Sequence, residues 1–139
     1  RTASVQVKLN VIREVVEGKR IIMVDDSIVR GTTIRNIVRM LKRAGATEVH
    51  VRVSSPPFKF PCFYGTDVPS SENLVAYNNS LEEIRESIDA DSLGYLSVDS
   101  LGDLCPGLDY CDSCFTGRYK GGIPTNEQDK KPCSSAKVL

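Results

Sequence analysis

The chain has 139 residues, 40% of which are hydrophobic, and its 18 Lys and Arg residues balance its 18 Asp and Glu residues. The length permits one modest domain, and no apolar run is long enough to span a membrane. The zero net charge hides a basic segment at residues 1–52 and an acidic one at residues 67–112, in which Arg85 is the only cation. The cations are dispersed without interleaved aromatic residues, which favours a small polyanionic ligand over nucleic acid.

The first half of the chain predicts strand, loop and helix in succession. Residues 5–9 alternate in polarity like an exposed strand. Residues 21–24 are continuously apolar, which is typical of a central parallel strand covered on both faces. From Thr33 the period becomes helical, and four residues fall on one apolar stripe: Ile34, Ile37, Val38 and Leu41. We expect Thr32 or Thr33 to cap this helix and Gly45 to end it.

The loop at residues 25–33 lies outside the carboxyl end of the strand and at the start of the helix, where open α/β sheets bind ligands. Backbone N–H groups of residues 28–33, loosened by Gly31, can surround a phosphate monoester, and the helix dipole favours its charge. Asp25 and Asp26 point to different sides of the chain, so one can accept from sugar hydroxyls or hold a hydrated Mg²⁺. A ribose with a 5-phosphate would satisfy both halves of the loop.

Other features of this loop add to the interpretation. Hydroxyl groups of Ser27, Thr32 and Thr33 are further donors, whereas Arg30 is equally well a cation beside the phosphate or an ordinary exposed residue. Two adjacent Asp residues alone would indicate a solvated turn, but their place between an apolar strand and an amphipathic helix favours a site. The loop is not that of NTPases, because no Lys follows Gly31.

The second half predicts two more strands and a helix. Residues 49–53 form the next strand, in which His50 is an exposed residue rather than a catalytic base. Residues 54–57, Ser-Ser-Pro-Pro, end that strand and form a plausible wall of the site, because successive parallel strands end side by side. A capping box at residues 80–83 opens a helix, and residues 93–98 form a short strand. This helix is predicted to extend to residue 88, and three of its residues are expected to face inward: Leu81, Ile84 and Ile88.

Five cysteines supply a second set of candidate ligands. Cys111 and Cys114 have the spacing with which two thiolates reach one metal centre, and Cys62 in a Pro-Cys-Phe-Tyr-Gly turn could join them. Zinc, a redox dithiol or chance explains a single Cys-x-x-Cys equally well, and two disulfides are the alternative in a secreted chain. The sugar-phosphate chemistry and the lack of a targeting segment favour the cytoplasm, and therefore metal binding.

Residues 24–33, Val-Asp-Asp-Ser-Ile-Val-Arg-Gly-Thr-Thr, resemble the phosphoribosyl pyrophosphate signature of the type I phosphoribosyltransferases, in the form found in their amidotransferase branch. Four further segments are similar to that branch: Ser-Ser-Pro-Pro at 54–57, Pro-Cys-Phe-Tyr-Gly at 61–65, Asp-Ser-Leu-Gly-Tyr-Leu-Ser at 91–97 and Cys-x-x-Cys-Phe-Thr-Gly at 111–117. The resemblance runs from about residue 5 to about residue 120.

The resemblance implies an α/β fold and a division of the chain. Residues 1–100 would form a partial type I phosphoribosyltransferase-like domain, with a parallel sheet flanked by helices. Residues 101–120 would form a helical, cysteine-bearing extension, and residues 121–139 a disordered tail. The glutaminase domain and the front of the transferase domain would be missing, so we expect a fragment that is incomplete for turnover and has uncovered apolar sheet edges.

The resemblance also assigns roles to the loop. Asp25 and Asp26 would contact the ribose hydroxyls and, through the substrate, Mg²⁺. Seven residues would hold the 5-phosphate: Ser27, Ile28, Val29, Arg30, Gly31, Thr32 and Thr33. Glutamine-derived ammonia would displace pyrophosphate from phosphoribosyl pyrophosphate and give 5-phosphoribosylamine, the first committed step of purine synthesis.

The implied partners are phosphoribosyl pyrophosphate and purine nucleotides, with no membrane and no nucleic acid, and full-length relatives are expected to be homo-oligomers. One group of these enzymes holds a 4Fe-4S cluster with cysteines that match Cys62, Cys111 and Cys114 and with a fourth that lies upstream of this chain. Cys105 and Cys133 lie in no matching motif and are expected to be unliganded. The alternative function is a non-catalytic fragment or regulatory module that keeps the nucleotide-phosphate site.

Overall fold

The computed structural model describes residues 10–65, 68, 70–104 and 106–123. A parallel sheet contains three strands in the order in which they occur in the chain: β1 (Arg20–Asp25), β2 (Glu48–Val53) and β3 (Ser92–Tyr95). Six helices and a 3₁₀ turn at Ser71–Asn73 accompany them: α1 (Arg13–Val16), α2 (Thr32–Arg43), α3 (Val75–Asn78), α4 (Leu81–Ser87), α5 (Ser100–Leu104) and α6 (Ser113–Thr116).

This architecture confirms the predicted α/β class with a parallel sheet flanked by helices. The strand expected at residues 5–9 and the tail expected to be disordered beyond residue 123 lie outside the described residues, and the division at residues 100 and 120 stays a prediction. In the described ranges, no helix combines the length and the apolar character that crossing a membrane requires.

Helix α2 forms where the apolar stripe predicts it, but its start differs from the prediction. Ile34 and Val38 are buried. The N-cap is Gly31, with φ +75°, and no side chain caps the helix, so the expectation that Thr32 or Thr33 caps it is wrong. The left-handed turn at Gly31 makes both threonines the first helical residues instead. Gly45 ends the helix as expected, with φ +99° and its N–H bonded to the carbonyl of Lys42.

The main core fills the space between the sheet and helices α2 and α4. It consists of eleven buried residues: Ile28, Ile34, Val38, Val49, Val51, Val53, Ala76, Ile84, Ile88, Ala90 and Leu93. The capping box of α4 is confirmed, since the Ser80 hydroxyl accepts from the Glu83 N–H and the Glu83 carboxylate accepts from the Ser80 N–H. The inward orientation predicted for Leu81 is wrong, because the first turn of α4 borders an open cavity of about 400 Å³ and leaves Leu81 52% exposed.

Strand β1 lies at an edge of the described sheet and pairs with β2. Its residues alternate in burial, and Ile22 and Val24 are 70% and 71% exposed. The prediction of a central strand covered on both faces is therefore wrong for the described part of the chain. The apolar run reflects a face that no described element covers, in keeping with the expected uncovered sheet edges.

Two smaller expectations for the other strands are also corrected. His50 is half-buried rather than exposed, because its ring nitrogens lie 2.8 Å from the hydroxyl of Ser92 on β3 and 2.8 Å from the carboxylate of Glu48 on its own strand. Strand β3 ends at Tyr95, earlier than the predicted residue 98. It pairs with β2 only as far as Val53, so its length follows the end of its neighbour.

The close approach of Gly45 to Glu17 generates a prediction. Gly45 and Gly18 both have positive φ, but a Cβ at Gly45 would lie 3.3 Å from the Glu17 Cα, whereas one at Gly18 would meet nothing within 4 Å. Gly18→Ala should lower the free energy of unfolding by about 1 kcal/mol through backbone strain alone. Gly45→Ala adds a steric clash and should lower it further in urea titrations. Equal losses in the two variants would contradict the contact.

Candidate functional site

The candidate site lies at the carboxyl end of the sheet, where β1 ends and α2 begins. Asp25 is the last residue of β1, and its carbonyl accepts hydrogen bonds from the N–H of Ser54 at 3.0 Å and from the Ser54 hydroxyl at 3.3 Å. The segment at residues 54–57 therefore lies beside the end of β1, as the sequence predicts, and Pro56 within it is fully buried. A rigid wall borders the loop on this side.

The two carboxylates of the loop accept hydrogen bonds from within the loop itself. The Asp26 N–H donates to the Asp25 carboxylate at 3.0 Å, and the Ser27 hydroxyl donates to the Asp26 carboxylate at 3.1 Å. Asp25 is half-buried, Asp26 is exposed, and neither forms an ion pair with a described residue. Their uncompensated charge suits acceptance from hydroxyl groups or from a hydrated divalent cation.

The N-terminal side of α2 presents a row of unused hydrogen-bond donors. Among the described residues, the backbone N–H groups of residues 28–33 have no acceptor, and the exposed Thr32 and Thr33 hydroxyls have no partner. The first N–H groups of a helix have no intrahelical acceptor, and the dipole of this 12-residue helix adds partial positive charge there. Such donors are suited to a phosphate oxygen, and the predicted phosphate-binding role of these residues stays a prediction.

The charges of α2 are arranged asymmetrically. Its first turn contains no acidic residue, whereas its last turn contains Lys42 and Arg43. Arg30, immediately before the helix, is exposed and forms no ion pair with a described residue. The first turn of the helix thus contains no acidic side chain that would complement the dipole, and the acidic residues nearest to it in sequence are Asp25 and Asp26.

Two apolar side chains of the loop, those of Ile28 and Val29, pack into the domain and anchor the loop. This feature was not predicted from the sequence. Ile28 is 2% exposed and belongs to the main core, whereas Val29 packs against a second cluster formed by Phe58, Val68 and Leu74. The Val29 carbonyl also accepts the N–H of Val75 at 2.8 Å. In the sequence, this anchoring is indicated by two adjacent apolar residues, Ile28 and Val29, within an otherwise polar loop.

The second cluster also receives part of the cysteine-bearing segment. Cys62 and Cys114 pack against it, and the backbone carbonyl of Cys114 accepts the N–H groups of Lys59 and Phe60, both at 3.0 Å. Burial, with a smaller contribution from the Cys62 and Cys111 thiols, raises the pKa of the Cys114 thiol to about 11. Cys111 is exposed. The cysteine segment is therefore attached to the body of the domain.

The packing of the cysteine segment does not by itself form a metal site. Within the described ranges, no three His, Cys, Asp or Glu side chains are close enough together to hold a metal ion. Cys105 and Cys133 lie outside the described residues. The predicted ligand roles of the cysteines and of the Asp pair stay predictions.

Comparison with known proteins gives a consistent result at the level of sequence. The chain is 56% identical over 126 residues to the amidophosphoribosyltransferase of Bacillus subtilis, an alignment that covers 86% of this chain and 26% of that enzyme. It is 53% identical to the Synechocystis enzyme and 51% identical to the Staphylococcus aureus enzyme, with 89% and 94% of this chain covered. It spans about a quarter of the length of these curated relatives. No protein-family profile matches the chain.

Solved structures agree with the relatives. A glutamine phosphoribosylpyrophosphate amidotransferase from B. subtilis complexed with ADP and GMP superposes with a TM-score of 0.78 and 48% identity, over 91% of this chain and 30% of that one. A structure of the allosteric regulatory enzyme of purine biosynthesis gives a TM-score of 0.77, also with 48% identity and with 94% of this chain covered. These comparisons confirm the resemblance and the fold that the motifs predict.

Proposed function

This chain is a homologue of the C-terminal part of the amidophosphoribosyltransferases, and from that premise we propose that it supplies the phosphoribosyl pyrophosphate site of such an enzyme. The complete reaction is displacement of pyrophosphate from phosphoribosyl pyrophosphate by glutamine-derived ammonia. One observation carries the proposal: Asp25 and Asp26, which form no ion pair with a described residue, share a loop with the N–H groups of residues 28–33, which have no acceptor among the described residues. Donors for a phosphate and acceptors for a ribose thus occur in one loop.

Different residues of the loop would bind the two ends of the substrate. The N–H groups of residues 28–33 and the threonine hydroxyls would bind the 5-phosphate, with Arg30 as an added cation. Asp25 and Asp26 would accept from the ribose hydroxyls and hold Mg²⁺ through the substrate. Bound Mg²⁺ would neutralise charge on the departing pyrophosphate. Positive charge develops at the sugar carbon in such a displacement, so the protein acts mainly by positioning its groups.

We also propose nucleotide ligands, a cellular location and an assembly state. Purine nucleotides share the ribose 5-phosphate of the substrate, and the related B. subtilis enzyme has been solved with ADP and GMP, which supports nucleotide binding here. We also propose a cytoplasmic location, where such substrates are found, and a homo-oligomeric assembly of the longer enzyme. Neither membrane nor nucleic acid takes part in this function.

The cysteine segment adds a structural proposal. Cys62, Cys111 and Cys114 would be three of the four ligands of a 4Fe-4S cluster, and the fourth ligand would lie upstream of this chain. Cys62 and Cys114 pack against the same apolar cluster of the core, and Cys111 lies three residues before Cys114, which supports this assignment. Their arrangement does not yet form a metal-holding group, so binding would require the thiols to converge.

A second candidate function is a nucleotide-phosphate-binding module without catalysis. The observation that favours it is the complex of the related B. subtilis enzyme with ADP and GMP, since the 5-phosphate of such a nucleotide could bind to the same loop. The discriminating measurement is formation of phosphoribosylamine from ammonia and phosphoribosyl pyrophosphate. We expect binding of GMP without measurable turnover, and turnover by this chain alone would favour the complete enzyme activity instead.

Removal of charge from the Asp pair tests the proposed substrate site. An Asp25→Asn/Asp26→Asn double variant keeps the shape of the loop but weakens acceptance from the ribose and Mg²⁺. We expect calorimetric titration with Mg²⁺ and phosphoribosyl pyrophosphate to show saturable binding by the unmodified chain and at least about tenfold weaker binding by the variant. The matched control is Asp99→Asn/Asp103→Asn, which removes the same charge from exposed positions outside the loop. Equal loss in both variants would contradict the assignment.

Metal analysis tests the cysteine proposal. The chain would be purified without oxygen, supplied with ferrous iron and sulfide, and analysed for bound iron and visible absorbance. We expect the unmodified chain to bind iron weakly, because one of the four ligands lies upstream of this chain, and a Cys111→Ser/Cys114→Ser variant to bind none, because serine hydroxyls do not replace thiolate ligands. Equal iron content in the unmodified chain and the variant would argue against the cluster.

A further inference from the structure

The hydrogen bond between Val29 and Val75 controls the direction of one peptide group in the candidate phosphate loop. The Val75 N–H donates to the Val29 carbonyl at 2.8 Å. No described peptide bond is cis, so the Arg30 N–H, which belongs to the same planar peptide group, points away from this carbonyl. The Arg30 N–H has no acceptor among the described residues. The bond thus turns a carbonyl toward α3 and a free donor to the opposite side.

The loop contacts the same part of the molecule at Gly31. A Cβ at Gly31 would lie 3.5 Å from the Ile88 Cγ2 and 3.9 Å from the Val75 Cγ2, so the loop passes near both side chains. Val75 itself packs against the main core. Because Ile88 is 1% exposed, this support is a fixed part of the core rather than a mobile side chain.

We propose that Val75 is a positioning residue for the phosphate loop and that its backbone N–H sets the orientation of the Val29–Arg30 peptide group. This inference rests on the proposed function, since it takes a phosphate as the ligand of the free donors. A phosphate cradle needs N–H groups directed at the anion and carbonyls directed away from it, because a carbonyl oxygen would repel the anion. Val75 meets this need from outside the motif.

The structure permits a substitution that removes this one donor. Val75 is the first residue of α3, where a helix N–H has no intrahelical acceptor and proline is well tolerated. Leu74 before it has φ −92° and ψ 116°, the extended conformation that a residue before proline prefers. Val75→Pro therefore deletes the hydrogen bond to Val29 while it remains compatible with the helix.

A matched proline occurs at the start of the next helix. Leu81 is the first residue of α4, its N–H has no acceptor among the described residues, and Ser80 before it is extended, with φ −68° and ψ 165°. Leu81→Pro introduces the same residue at the same helical position without a bond to the loop. Val75→Ala completes the set, because it trims the side chain and retains the N–H.

The experiment measures affinity for phosphoribosyl pyrophosphate with Mg²⁺ by calorimetry in the full chain and the three variants. We expect Val75→Pro to bind about fivefold more weakly, the effect of one hydrogen bond, and both Leu81→Pro and Val75→Ala to stay within about twofold of the unmodified chain. Urea unfolding provides the structural control. A cooperative unfolding transition in Val75→Pro shows that the variant is folded, and weaker binding in Val75→Pro alone then separates positioning from general damage.

Each other outcome has a definite meaning. Equal affinity of Val75→Pro and Leu81→Pro, with binding by the unmodified chain, overturns the positioning role and leaves the proposed function intact. An equally large loss in Val75→Ala assigns the effect to side-chain packing and also overturns the role of the N–H. Absence of binding by the folded, unmodified chain overturns the proposed function, and the inference fails with it.

Discussion

An α-helix cannot satisfy the N–H groups of its own first turn, and this constraint organises the candidate site. In this chain the unsatisfied end of α2 follows the carboxyl end of β1, and five residues separate Asp26 from the first helical residue. Gly31 adopts the left-handed conformation that joins the loop to the helix without a side-chain cap. Since no side chain takes the place of the cap, the donors remain available to a ligand.

The rest of the domain keeps this loop in place. The sheet gives it a rigid origin, and Ser54 binds the last carbonyl of β1. Ile28 and Val29 enter two different apolar clusters, so the loop is fastened on both sides of its backbone. The position of the polar groups in the loop therefore depends on the burial of two apolar side chains of the same loop.

Much of this arrangement could be predicted from local sequence. The period of α2, the terminal Gly45, the capping box at Ser80 and the donor-rich loop all depend on neighbouring residues, and all are present in the structure. The errors concern features that distant parts of the chain decide. Periodicity placed Leu81 on a buried stripe, although burial requires a partner surface.

Distant parts of the chain also decide which faces of β1 are covered and how the loop is held. An apolar run identifies a strand, but it does not say which described element covers each face, as Ile22 and Val24 show. The hydrogen bond from Val75 joins residues that are far apart in sequence, and it involves backbone atoms. Side-chain patterns carry no direct information about such a bond.

The uneven charge of α2 links ligand binding to folding. Basic residues in its last turn complement the helix dipole at that end, whereas the first turn has no acidic residue to complement the other. An anion bound at the first turn would supply the missing counter-charge, and anything that binds only the folded state stabilises it by mass action. Under the proposed function, a bound phosphate ligand would then act as a structural component of the domain, and the thermal stability of the domain would report the presence of that ligand.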